Sequence, residues 1–280
     1  MVSSVSGGED MLGAIIGDIC GSVYEFNKCK DYDAVELFRK DCRFTDDTVM
    51  TVAVAQALMD AGFLQRKKIT WDMGFQKLLV KSMRYYGALF PYAGYGGNFG
   101  EWLLTDSMGA YNSFGNGSAM RVSSVGWVFN SLEETLHAAG LSAEVTHNHP
   151  EGIKGAKAVA GAVYLARTGH SKDEIKEFVE ALGYDLNFTI EEIRPAYEFD
   201  VSCQGSVPQA IKCFLESTDF EQCIRLTLSL GGDCDTTGAM SGAIAEAFYG
   251  IPNWMKNKAL EILPEPMKVQ YERFRSSVRK

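Results

Sequence analysis

The stretch GGDCDTTGAMSGAIAEAFYGIP, residues 231–252, decides the fold class. From Thr236 to Tyr249 it holds no proline and no strand-like alternation, and it stops at Gly250 and Pro252, the order in which helices end. Gly238, Gly242 and Ala245 recur about one turn apart, so one face is nearly bare. A bare face lets a second helix axis come close, which belongs at the centre of a packed bundle. Working outward, EGIKGAKAVAGAVYLAR (151–167) repeats the pattern with Gly155, Val159 and Ala162, and Thr168-Gly169 ends it. Thr48 to Asp60 is an apolar, Ala-rich run, and Trp71 to Tyr86 carries apolar residues at 71, 75, 78, 79 and 83, a helical spacing. Ser131 with Glu134, Ser171 with Glu174 and, more loosely, Asp219 with Gln222 read as capping boxes. Val35–Phe38 is the one candidate for a short extended piece. Loop signals concentrate in residues 91–118, with PYAGYGGNFG and SFGNGS. No repeat or linker divides the chain. The expectation is all-α: one compact multi-helix domain over residues 11–280, after a flexible or expression-derived leader at 1–10, with Met11 as the natural start.

Composition narrows the function classes. The chain has 280 residues, with 46% hydrophobic and 22% charged, an ordinary globular balance that supports a sizeable core. Its formal net charge of -9, without a basic run, argues against a general grip on nucleic acid. Seven cysteines at wide spacings, with no C-x-x-C pair, read as reduced thiols of a cytoplasmic protein. Met11–Ile19 is apolar but short, interrupted by Asp18 and preceded by no basic segment, so it is not a signal peptide. No apolar run approaches the ~20 residues of a membrane span.

Polar clusters at helix starts carry the chemistry. They are FTDDT (44–48), GGDCDTT (231–237) and Gly17-Asp18 followed by Glu25. Asp and Thr are ordinary caps, and each cluster alone reads well that way. One cap explains one acid, however, and several carboxylates beside an apolar core are costly without compensation. In D-x-D two carboxylates can aim at one ion, and in T-D-D a hydroxyl and two carboxylates fan out from one helix start. Together they offer enough oxygens for two ions about 3.5–4 Å apart sharing a carboxylate. Oxygen-only ligands suit Mg²⁺, Mn²⁺ or Ca²⁺ rather than zinc or copper. GGDCD lacks the Glu-Phe of a cyclase signature, and D-x-D-T lacks the parallel strand of an aspartyl phosphotransferase. His147-Asn148-His149 lacks the strand of an amidohydrolase H-x-H.

GDICGSVYE (17–25), FTDDT (44–48), GNGSAMR (115–121), TH (146–147) and GGDCDT followed by AEAFYGIP (231–252) occur in an order that resembles the ADP-ribosylglycohydrolases, which include arginine- and serine-directed types. The resemblance runs from about residue 11 to 255. It implies a multi-helix orthogonal bundle of that family's type. Thr45, Asp46, Asp47, Asp233, Asp235 and Thr236 would then ligate two divalent cations, Mg²⁺ or Mn²⁺, with Asp235 as the bridge. Glu25 matches the family's mobile gating glutamate. Ser113, Phe114, Gly115, Asn116 and Gly117 match the loop that cradles pyrophosphate and proximal ribose, and His147 a histidine near the phosphates. Phe114 and Tyr111 are both candidates to face adenine. Arg121 reads as structural, holding a carboxylate or carbonyl.

The reaction implied is hydrolysis at the anomeric carbon of the distal ribose of an ADP-ribosylated protein or small ADP-ribosyl substrate. Asp47 or Glu25 would orient or deprotonate water. Arginine is the expected linkage. A non-catalytic ADP-ribose binder or structural relative is the alternative from another class, followed by a two-metal nucleotide phosphohydrolase.

Overall fold

In a computed structural model, residues 11–65 and 71–278 are described. The leader expected at 1–10 lies outside the described residues. Fifteen α-helices follow one another among the described residues, with long connections between the first and second and between the fourth and fifth. They are α1 Leu12–Gly21, α2 Asp46–Asp60, α3 Trp71–Leu89, α4 Gly97–Leu104 and α5 Gly117–Met120. Next come α6 Val125–Val128, α7 Leu132–Glu144, α8 Pro150–Arg167, α9 Lys172–Ala181 and α10 Ile190–Ile193. The last five are α11 Cys203–Glu216, α12 Phe220–Leu230, α13 Cys234–Tyr249, α14 Asn253–Ile262 and α15 Glu265–Val278. The described residues form no strand, and one isolated bridge pairs Gly115 with Ser202. The all-α expectation holds.

The centre is the pair α1 and α13. Every residue of α1 is buried, as is α13 from Cys234 to Glu246. Their glycines face each other: a Cβ on Gly238 would lie 2.6 Å from the Gly17 carbonyl oxygen, and one on Gly17 or Gly242 would strike the opposite backbone. Only bare positions allow this approach. A carboxylate from the far end of α13 completes the joint, since Glu246 Oε2 accepts from the Gly13 N–H at 2.8 Å and so caps α1 in place of Met11, which offers no capping side chain. The helix α8, with buried Gly155, Val159 and Ala162, packs against α13, α7 and α11.

Local signals were met to different degrees. Ser171 and Glu174 form the full reciprocal box, whereas Ser131 and Asp219 accept the helix N–H without the return bond to the cap's own N–H. Gln222 reaches instead to the N–H of Thr218. Two expectations need correction. Residues 35–38 form no strand: Leu37 and Phe38 are a turn, with Phe38 at φ 53. The glycine-rich loop region contains α4, because Phe99 and Trp102 bury one side of that short helix, outweighing its poor propensity.

Candidate active site

The close α1–α13 crossing brings Asp18, inside α1, beside the start of α13. Its carboxylate is fully buried and turned toward α2. Asp18 Oδ2 accepts from the Thr45 N–H at 2.9 Å, the Thr48 N–H at 3.0 Å and the Thr48 hydroxyl, while Oδ1 accepts from the Thr45 hydroxyl at 2.7 Å. One helix's aspartate thus satisfies the orphan donors at the start of another. That joint fixes the direction in which Asp46 and Asp47 leave α2.

Across from it, Gly231 and Gly232 adopt φ of 75 and 81, a left-handed pair that L side chains resist, and this sharp bend delivers Asp233 and Asp235 to the start of α13. Asp233, though the N-cap of α13, makes no capping bond through its side chain. Its Oδ2 accepts instead from Asn116 Nδ2 at 2.7 Å. The two acidic stretches meet: the Thr236 hydroxyl lies 3.3 Å from Asp47 Oδ2 across a separation of 189 residues.

The carboxylate oxygens gather in two triads, Asp18–Asp47–Asp235 and Glu25–Asp233–Asp235, each with its oxygens within 4.8 Å of one another. Asp235 belongs to both. No ion pair with Lys or Arg compensates any member of either triad among the described residues. Burial first, and then neighbouring carboxylates, push the group upward: Glu25 to about 7, Asp46 to about 8, Asp47 and Asp235 well above the usual carboxylate range. Asp233 rises to about 6 through burial, held back by the Asn116 bond. Asp47 Oδ1 is buried with no hydrogen-bond donor. An orphaned acceptor among uncompensated carboxylates is a donor set that fits hard divalent cations.

A cavity of about 380 Å³ opens over this cluster. Glu25, Asp46, Asp47, Asp233, Asp235 and Thr236 line it on one side, and Tyr111, Ser113, Gly115, Asn116, Gly117 and His147 also line it. Larger depressions of about 840 and 1150 Å³ lie elsewhere on the surface, but they are more open and gather no such cluster. The loop before α5 is pinned to the start of α11, where the Asn116 N–H donates to Val201 O at 2.8 Å and the Cys203 N–H to Phe114 O at 3.0 Å. Phe114 is half exposed and packs edge-on to His149 rather than lining the cavity, while Tyr111 does line it, its ring 6.0 Å from that of His147. Thr45 sits beneath the cavity, bonded to Asp18 and Asp47. Asp18, expected in a polar cluster at a helix start but given no ligand role, lies inside α1, and Arg121 was expected to be structural only. For Asp18 the available signal was an acid inside a wholly apolar helix, which must have buried partners.

An all-α bundle with buried acids from two distant helix starts facing a glycine-rich loop defines the class. The family model described as ADP-ribosylglycohydrolase matches residues 10–275, and the chain belongs to that family of glycosyl hydrolases. It is 28% identical to the mouse protein named ADP-ribosylhydrolase ARH3, over 86% of this chain and 83% of that one. It is 27% identical to the human protein of the same name, over 86% of this chain and 84% of that one. An uncharacterized protein of Archaeoglobus fulgidus is 34% identical over 56% of this chain and 57% of its own. Among solved structures, one titled ADP-ribosylglycohydrolase-related protein complex superposes with a TM-score of 0.69 at 21% identity, covering 97% of this chain and 96% of that one. No helix among the described residues is long and apolar enough to cross a membrane.

Proposed function

We propose that this enzyme hydrolyses the glycosidic bond between ADP-ribose and a modified side chain, dependent on two divalent cations, Mg²⁺ or Mn²⁺, and that residues 11–280 act as one domain in the cytoplasm. The observation that carries the reading is the membership of Asp235 in both carboxylate triads. Thr45, Asp46, Asp47, Asp233, Asp235 and Thr236 would hold the ions. The ions supply Lewis acidity and a template for oxygen groups.

The chain's own residues do the rest. Asp47 is buried, with Oδ2 near the hydroxyls of Thr45 and Thr236, so it serves as a fixed holder. Glu25 is only partly buried and lines the cavity, so it is the residue we assign to orient water and take its proton. Carboxylates around the distal ribose stabilise the positive charge that builds on the ring as the bond breaks. Gly115 and Asn116 already donate their N–H groups, to Ser113 Oγ and Val201 O, so the backbone N–H groups of Ser113, Phe114 and Gly117, with His147, receive the pyrophosphate. Asn116 ties that loop to Asp233, which couples binding to the acidic cluster.

Five carboxylates against one guanidinium, that of Arg121, line the cavity. The two proposed cations and Arg121 balance those charges, so the cavity's charge does not choose the linkage; arginine is the linkage we put first for the test. The test is release of ADP-ribose from arginine- and serine-modified peptides, with Mg²⁺, Mn²⁺ or chelator. Turnover that survives complete metal removal defeats the mechanism, and cleavage confined to the serine peptide defeats the linkage. Binding without cleavage of any linkage supports the non-catalytic alternative.

A further inference from the structure

Arg121 is a fully buried cation with no carboxylate in ion-pair contact. It lines the same cavity as the acids, yet its Nη2 donates to Ser142 O at 3.0 Å and to Thr146 Oγ1 at 2.8 Å, and its Nε is buried without a partner. Thr146 is fully buried, and its hydroxyl lies 2.7 Å from His147 Nδ1. A guanidinium can only donate, so Thr146 Oγ1 accepts from it. The one hydroxyl proton of Thr146 then needs an acceptor, and His147 Nδ1 is the only one found for it among the described residues. Nδ1 must therefore be unprotonated, and the imidazole proton must sit on Nε2.

Nε2 is the atom that faces the loop. A Cβ built on Gly117 would lie 3.1 Å from it and one on Gly115 3.6 Å away, so the two glycines leave open space in front of this nitrogen. Burial and the positive charge of Arg121 hold the imidazole well below the usual histidine range, which keeps it neutral and leaves it one donor.

We infer that Arg121, acting through Thr146, fixes His147 as the Nε2–H tautomer and so aims a single neutral donor at a phosphate oxygen held by the 113–117 loop. Arg121 and Thr146 are positioning residues. The uncompensated guanidinium behind them also makes the cavity wall positive where a pyrophosphate would lie. The inference about the tautomer stands on the hydrogen-bond chain alone, whereas its use rests on the proposed ADP-ribose reading.

The chain has four histidines, so long-range ¹H–¹⁵N correlation of the imidazoles is tractable, with His147 assigned from His147→Gln. Wild type should give the Nε2–H pattern for His147, and an Nδ1–H or doubly protonated pattern at neutral pH overturns the relay without any variant. Thr146→Val should blur that pattern and raise KM about five- to tenfold while kcat stays within about twofold, less than the loss of a whole hydrogen bond to a charged oxygen because the donor is misdirected and not removed. Thr146→Ser should restore both. An unchanged KM in Thr146→Val overturns the positioning role. If wild type fails to bind ADP-ribose in the presence of Mn²⁺, the substrate reading falls, and the imidazole pattern still decides the relay.

Discussion

One cavity has two unlike ends. At one, Asp46, Asp47, Asp233, Asp235 and Glu25 crowd together, and the aspartates are carried at the starts of rigid helices and left without a compensating cation. At the other, His147 and the 113–117 loop are knitted into hydrogen bonds beside the positive charge of Arg121, which has no carboxylate in ion-pair contact among the described residues. The first end is electrostatically unfinished as protein alone, and the second is finished. A ligand that satisfies both must be anionic toward Arg121 and rich in hydroxyls toward the acids and whatever cations they hold. Stability has been given up at the acidic end, and the cost should be visible when that end is altered.

The largest effect is expected from Asp235→Asn. It removes one charge from both triads, so turnover should fall by about a thousandfold or more. At the same time the metal-free protein should become more stable, by roughly 1–2 kcal/mol, because like charges no longer face each other in a buried site. Metal addition, which should raise the melting temperature of wild type, should do little for the variant. Thermal melts with chelator and with Mn²⁺ check both halves. A variant that is inactive and also less stable without metal would mean that Asp235 is a structural anchor, and the contrast between the ends would be gone.

pH separates the ends by sign. At the acidic end the carboxylates rise from ordinary values of 3.8 or 4.5 to about 6 for Asp233, about 7 for Glu25 and about 8 for Asp46. Folding therefore favours their protonated forms. Their contribution is full below about pH 4 and is lost as pH climbs to about 8. His147 is shifted the other way, below 6.5, so the fold resists its protonation. Its contribution is full above pH 6.5 and drains away as pH falls below that value. With chelator present, the melting temperature should drop by about 5 °C between pH 5 and 8. Saturating Mn²⁺ should flatten that slope, and His147→Gln should flatten only the side below pH 6.5. Melts that rise toward pH 8 without metal would show that the acids are compensated after all.

The two ends were also unequally legible in the sequence. Thr45–Asp47 and Asp233–Thr236 stand out because one helix start needs one cap, and each of these has more acid than a cap can use. The central helices were readable from bare faces at Gly238, Gly242 and Gly155. What the sequence hid is contact over distance. Asp18 lies 27 and 30 residues from the threonines it holds, and nothing local says that it reaches α2 rather than its own turn. Arg121 looks like any structural arginine until Thr146 and His147 are seen beside it. The Asn116–Asp233 bond spans 117 residues, and so a residue expected only to face substrate also steadies the acids. In α4, packing of Phe99 and Trp102 overrode a glycine-rich sequence that reads locally as loop.

The smallest expected effect probes the finished end alone. Gly117 is the first residue of α5, its φ is not in the left-handed region, and alanine is an easy residue for a helix. In Gly117→Ala the helix preference favours the variant, the close approach of its methyl to the buried His147 ring opposes it, and stability should stay within about 1 kcal/mol of wild type. Its new methyl would stand 3.1 Å from His147 Nε2 and 3.3 Å from Cε1, filling the space in front of that nitrogen. Affinity for ADP-ribose should fall about tenfold, equivalent to one blocked hydrogen bond to a phosphate oxygen, while Mn²⁺ affinity, set by carboxylates across the cavity, stays as it was. Titration calorimetry with each ligand separately makes the comparison. Equal loss for both would mean that the methyl disturbs Asn116 and through it Asp233, and unchanged ADP-ribose affinity would place the anion somewhere other than between the glycine loop and His147.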